Sequence, residues 1–139
     1  MIDFVKSTEM KISLAPDQEG MLSTKETIKT IIRDNPDTVL AFDIFDENDL
    51  IGFILVNRFE EHKYFLWEYA IDISHQNKHK GTAALKKFID LMRIRYDAKV
   101  ITTTYIYLMA VLLVHHIGFL KPHFLIYMLR MVITVNICG

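Results

Sequence analysis

Two stretches carry residues whose types and spacing could do chemistry. The first is the loop Gln76–Thr82, QNKHKGT, set between an apolar run, YFLWEYAIDI, and an amphipathic run, ALKKFIDLMRIRY. A strand, a short polar loop and a helix expose the helix's first N–H groups at the positive end of its dipole, a geometry that can hold a pyrophosphate. The loop has a single glycine, Gly81, so taken alone it reads equally as an ordinary connection. The second is a set of carboxylates, Glu60, Glu61 and Glu68. Glu68 stands between Trp67 and Tyr69 in the apolar run, where a carboxylate without a partner is costly. Such a group can bind a cationic amine or take its proton, and it can equally be an ion-paired structural glutamate. Glu60 and Glu61 belong to the polar turn FEEHK and read as acceptor-binding or as plain solvent-facing charge.

His115, His116 and His123 raise the question of a metal. Neighbouring histidines on a helix point about 100° apart, and no carboxylate or cysteine accompanies them, so no metal is expected. Cys138 is the sole cysteine, which excludes an internal disulfide and a cysteine-based zinc site.

Alternation in MIDFVK predicts a first strand. STKETIKTIIRDNP predicts a helix, with Ser23 and Glu26 as a capping box, Ile28, Ile31 and Ile32 as its apolar face, and Pro36 as its stop. TVLAFDIF and LIGFILV predict an antiparallel hairpin across DEND, and FEEHK turns the chain into a strand over Tyr64–Ile73. A helix over Thr82–Tyr96 follows, with Ala84, Leu85, Phe88, Leu91 and Met92 on one face and a Lys86–Asp90 pair on the other. KVITTTYIY is the next strand. Strand, helix, strand makes the last two strands parallel neighbours with a right-handed crossover.

With 139 residues, 51% hydrophobic and 24% charged, the chain reads as one globular domain over 1–139. A net charge of −1 gives no argument for nucleic acid. The amino terminus MIDFVKSTEM lacks an apolar signal core, so a cytoplasmic protein is the expectation. All 17 acidic residues precede position 101, and beyond it only Lys121 and Arg130 are basic. The uncharged run from Val100 to Leu120 is long enough for a bilayer. Threonines, tyrosines and histidines interrupt it, and a buried strand followed by a helix explains it equally well, so no membrane partner is expected. A region so apolar would be buried against a second subunit, making a homodimer one expected assembly.

LIGFILV, then YFLWEYAIDISHQNKHKGTAALKKFIDLM, then HHIGF resembles the GNAT family of acetyl-CoA-dependent N-acetyltransferases, and more narrowly its bacterial diamine (spermine/spermidine) acetyltransferase branch. Gln76 and Gly81 match the first and last positions of the family loop Q-x-x-G-x-G, and His79 replaces its middle glycine. The resemblance implies an α/β GNAT fold: a central mixed, twisted sheet of six or seven strands flanked by helices on both faces. It implies acetyl-CoA as cosubstrate, with the pantetheine arm along Ile71, Asp72 and Ile73. The pyrophosphate would rest on backbone N–H groups of Gln76, Asn77, Lys78, His79, Lys80, Gly81 and Thr82. It implies a primary amine, such as spermidine or spermine, as acceptor and a carboxylate as base, a place for which Glu68, as base or amine binder, is the first choice. The family's late-helix tyrosine and asparagine fall on Val114 and Tyr107, so an impaired acetyl-CoA-binding protein is the alternative, and a protein anchored to a membrane by its apolar end is a second. Charge and family residues are lost together after Val100, as a shifted reading frame around HHIGF would cause.

Overall fold

The computed structural model describes residues 1–16, 18, 20, 22–76, 78–106, 125–127 and 130–136. A seven-stranded sheet in the order β1-β2-β3-β4-β5-β7-β6 forms the centre. Its strands are β1 (Ile2–Lys6), β2 (Val39–Asp46), β3 (Asp49–Glu60), β4 (Lys63–Ile71), β5 (Val100–Ile106), β6 (Leu125–Tyr127) and β7 (Arg130–Asn136). Helix α1 (Lys25–Asp34) lies before β2, and α2 (Lys80–Arg95) joins β4 to β5. All neighbouring strands are antiparallel except β4 and β5, which are parallel as the intervening helix requires. Val114 and the three late histidines lie outside the described residues, as does Tyr107. No helix among the described residues is long and apolar enough to cross a membrane.

The core has two layers, one on each face of the sheet. Ala84, Leu85, Phe88 and Met92 of α2 pack on Phe42, Ile44, Ile54, Val56, Tyr64 and Leu66. Ile28 of α1, with Ile31 and Ile32 beside it, packs on Val39, Ala41, Phe53 and Leu55, and Met10 and Ile12 join that layer. The alternation of β2 and β3 between the layers follows from the two-residue period of a strand. Full burial of a side chain such as Phe53 or Phe88 contributes about 1.5–3 kcal/mol.

Local details correct the reading of the turns and caps. Thr24, not Ser23, caps α1, its hydroxyl accepting from the Thr27 N–H at 3.2 Å. The β2–β3 loop is only Glu47–Asn48, because Asp46 pairs with Asp49 and Glu47 takes a left-handed φ of 56°. Asp90 pairs with Arg93 at 3.0 Å, one turn on, rather than with Lys86. Gly52 is required where β3 meets the end of β4, since a Cβ there would lie 2.8 Å from the Ala70 carbonyl.

Candidate active site

The β4–β5 ladder stops early. It runs from Lys63↔Val100 to Leu66↔Thr103, and the Thr103 hydroxyl donates to the Leu66 carbonyl at 3.0 Å. Beyond that point β5 continues along β7 while β4 continues along β3, so the two strands part and a cleft opens between them. At its apex β4 bulges. Val56 faces Leu66 and Leu55 faces Glu68, leaving Trp67 as the extra residue.

The bulge decides where the carboxylate goes. Tyr64 and Leu66 pack in the α2 layer; after Trp67 the parity flips, so Tyr69 joins that layer and Ala70 the α1 layer. Glu68 therefore faces α1, is only 5% exposed, and accepts from the Ser23 N–H at 3.2 Å. Ser23 is not the cap that its spacing to Glu26 predicts; its amide instead anchors the carboxylate. A shallow depression of about 490 Å³, lined by Asn57, Phe59, Phe65, Trp67 and Thr102, extends from Trp67, the neighbour of Glu68 in sequence, towards the β3–β4 turn. Phe59 and Trp67 remain 51% and 44% exposed.

At the other end of the cleft stands the α2 amino terminus. His79 occupies the cap position in the left-handed region, φ 59° and ψ 11°, and no side chain caps the helix. The Ala83 N–H bonds back to the His79 carbonyl at 3.3 Å, so the amides of Lys80, Gly81 and Thr82 precede the first intrahelical bond. The Tyr69 hydroxyl donates to the Gly81 carbonyl and ties this helix end to β4. A Cβ at Gly81 would sit 3.4 Å from Ile71 Cγ1 and 3.5 Å from the Tyr69 hydroxyl. Lys80 turns away from the loop to Asp46, 3.2 Å distant, and approaches His75 Nδ1 at 3.5 Å. That ammonium, assisted by the amino-terminal one and opposed by slight desolvation, holds the Asp46 carboxyl below its ordinary range. Lys78 reaches back to the Ser74 carbonyl, and Asn77 lies outside the described residues.

Between apex and helix end, β4 finishes at Ile71, and Asp72 leads into a 3₁₀ turn over Ile73–His75. The Asp72 N–H pairs with the Ile51 carbonyl on β3 at 2.7 Å, and Ile73 donates to the Ser13 carbonyl at 2.8 Å. Burial pushes the Asp72 carboxyl up, but donors outweigh it: the Ser13 amide at 2.8 Å, the Ser74 amide at 3.1 Å and the Ser74 hydroxyl at 2.5 Å hold it below its usual range.

The structure thus brings Glu68, Ile71, Asp72, Ile73, Gln76 and the Lys78–Thr82 segment along one strand and its following loop. It sets Glu60 and Glu61 apart. They lie at the β3–β4 turn, paired with Lys63 at 3.2 Å and His62 at 3.4 Å. From Lys63 at that turn to Glu68 is five strand steps, roughly 17 Å along β4. Ser13, Gln18, Ser23 and Thr103, which shape the site, carry no sequence signal because their partners are 37 to 59 residues away. Among the described residues no group of histidine, cysteine and carboxylate side chains could hold a metal ion.

Residues 4–119 of this chain, which include the parallel strand pair, the bulge and the start of α2, match the family model of the GNAT acetyltransferases. The chain belongs to the GNAT acetyltransferase family. Its similarity to solved members is one of fold. A GNAT-family protein from Desulfovibrio desulfuricans superposes with a TM-score of 0.71 at 11% identity, covering 99% of this chain and 100% of that one. Spermidine N-acetyltransferase from Vibrio cholerae, in complex with CoA and spermine, gives 0.70 at 11% identity over 97% and 95%. A dodecameric structure of the Vibrio enzyme gives 0.65 at 13% over 81% and 74%. None of the curated proteins matches this GNAT chain significantly in sequence.

Proposed function

We propose that this GNAT protein transfers the acetyl group of acetyl-CoA to a primary amine of the polyamine class, with Glu68 as base. The observation that carries the reading is the position of a 95%-buried carboxylate at the apex of a cleft whose far end is an uncapped helix amino terminus. The backbone amides at the start of α2 suit the pyrophosphate, and the edge of β4 suits the pantetheine arm, which would carry the thioester towards the bulge.

At the apex an amine nitrogen attacks the thioester carbonyl. The carbon–sulfur bond breaks, the proton lost by the amine passes to Glu68, and the departing thiolate takes its proton from solvent water. The Ser23 amide holds Glu68 in one orientation for that transfer. The aromatic depression that extends from Trp67 suits the methylene chain of an alkylamine, since Trp67 offers both apolar area and a cation-attracting face. The spermine complex of the Vibrio enzyme supports this acceptor class. We further propose a cytoplasmic location, and a homodimer rather than a dodecamer as the assembly to test first.

Calorimetric titration with acetyl-CoA, followed by a turnover panel of spermine, spermidine, shorter diamines and aminoglycosides, tests the reading. Saturable acetyl-CoA binding with acetylation of polyamines is expected. Binding without turnover would leave a non-catalytic acetyl-CoA protein, and absence of binding would leave only the fold.

A further inference from the structure

The free edge of β4 already has an occupant. The Asp72 N–H points to β3, where it meets the Ile51 carbonyl. The Ile71 carbonyl belongs to the same trans peptide and therefore points the opposite way, into the cleft. The Gln76 side chain meets it there, Nε2 donating at 2.9 Å. The second Nε2 hydrogen goes to Gln18 Oε1 at 2.7 Å, and Gln18 Nε2 approaches Gln76 Oε1 at 3.4 Å. Both hydrogens of one amide are thus committed, one to the edge and one to a residue 58 positions earlier.

Gln18 follows a strap that leaves β1 and crosses the α1 side of the sheet. The strap is pinned by Lys11 on the buried Asp43 at 2.7 Å and by Ser13 on Asp72 and Ile73. It leads on to Ser23, which holds Glu68. Gln76 therefore joins the strap to a backbone carbonyl that faces the donor cleft.

We propose that the Gln76 amide stands in for the cofactor on the Ile71 carbonyl, and that Gln18 is a positioning residue that holds it there until the donor arrives. This rests on the donor running along β4, as in the function proposed above. A pantetheine amide takes the Ile71 carbonyl only by displacing Gln76, whose amide then turns wholly to Gln18. The ligand-free edge is a competing closed state, so measured donor affinity is reduced by the fraction closed.

The test uses CoA itself and the full chain. Calorimetry on wild type, Gln76→Ala, Gln18→Ala and the double variant reads the competition. Losing one hydrogen bond's net contribution should make Gln76→Ala bind CoA about fivefold more tightly. Gln18→Ala should gain about twofold, and the double variant should match Gln76→Ala rather than add to it. In wild type, the Gln76 side-chain amide resonances should shift on CoA addition, a readout that needs no variant to fold. Weaker or equal CoA binding by Gln76→Ala, or resonances that do not move while CoA binds, would overturn the proposal and leave the acetyl-transfer reading intact. A wild type that binds no CoA would overturn both.

Discussion

The Ser23 amide donates to Glu68 Oε1 at 3.2 Å, joining the residue before the α1 cap to the first residue past the β4 bulge. One hydrogen bond across 45 positions fixes the direction of the buried carboxylate. Glu68→Gln keeps the shape and the hydrogen-bonding oxygen while removing the base. It should lower kcat/KM for spermidine by roughly 10²-fold or more, the scale of losing general-base catalysis, with CoA affinity nearly unchanged. Steady-state kinetics with parallel calorimetry decides; equal turnover would take Glu68 out of the mechanism.

Gly81 bears on the donor rather than the chemistry. A Cβ at Gly81 already touches Ile71 Cγ1 at 3.4 Å and the Tyr69 hydroxyl at 3.5 Å, so the further carbons of valine would crowd the contact by which that hydroxyl binds the Gly81 carbonyl. Gly81→Val should raise the acetyl-CoA KM by about tenfold and leave kcat within about threefold, the signature of lost ground-state binding. A fall in kcat alone, at constant KM, would contradict the cradle.

Trp67 is placed by the bulge on the exposed face beside Glu68. Trp67→Ala should raise the amine KM about five- to thirtyfold, the worth of an apolar and cation–π contact of about 1–2 kcal/mol, without altering CoA binding. Comparing spermidine with a short diamine separates chain contact from charge, because the shorter chain has less to lose.

How far the sequence reaches is shown by these three residues. The loop and helix around Gly81 are local, and their periodicity and polarity carry over directly into the α2 amino terminus. The strand–helix–strand order extends that to the parallel pairing of β4 with β5, which runs from Lys63↔Val100 to Leu66↔Thr103. The bulge at Trp67 has no such signal. It arises from the pairing of Val56 with Leu66 and of Leu55 with Glu68, a register set by tertiary packing. For that reason Ser23, a plausible cap by local rules, turned out to be the carboxylate's anchor. The separation of Glu60 and Glu61 from Glu68 likewise follows from strand length, which composition does not convey.

Asp72 gives an acid-limb prediction. Its folded-state pKa lies below the ordinary 3.8, so it binds its proton more weakly folded than unfolded. Its contribution is complete above that ordinary value and is lost as pH falls through the lower folded value. Thermal unfolding at pH 7, 4 and 2.5 should show Asp72→Asn less stable than wild type at pH 7 and the gap closing towards pH 2.5. A constant gap across that series would mean that the Ser13 and Ser74 donors do not favour the ionised form.

His79 offers the last test, because it sits where the family loop carries glycine and yet keeps the left-handed backbone, φ 59° and ψ 11°. A left-handed residue with a Cβ costs about 1–2 kcal/mol, whereas glycine adopts it freely and gives back roughly 0.5–1 kcal/mol through greater unfolded-state entropy. His79→Gly should therefore stabilise the fold by about 0.5–1 kcal/mol. His79→Val should destabilise it by about 1–2 kcal/mol, since a β-branched side chain crowds that region further. Because the amides of Lys80, Gly81 and Thr82 are backbone donors, CoA binding should survive in His79→Gly. Thermal unfolding of the three proteins, ordered Gly, His, Val from most to least stable, is the expected result. If His79→Gly unfolds earlier than wild type, the histidine ring contributes more than its backbone costs, and the loop is built around that side chain.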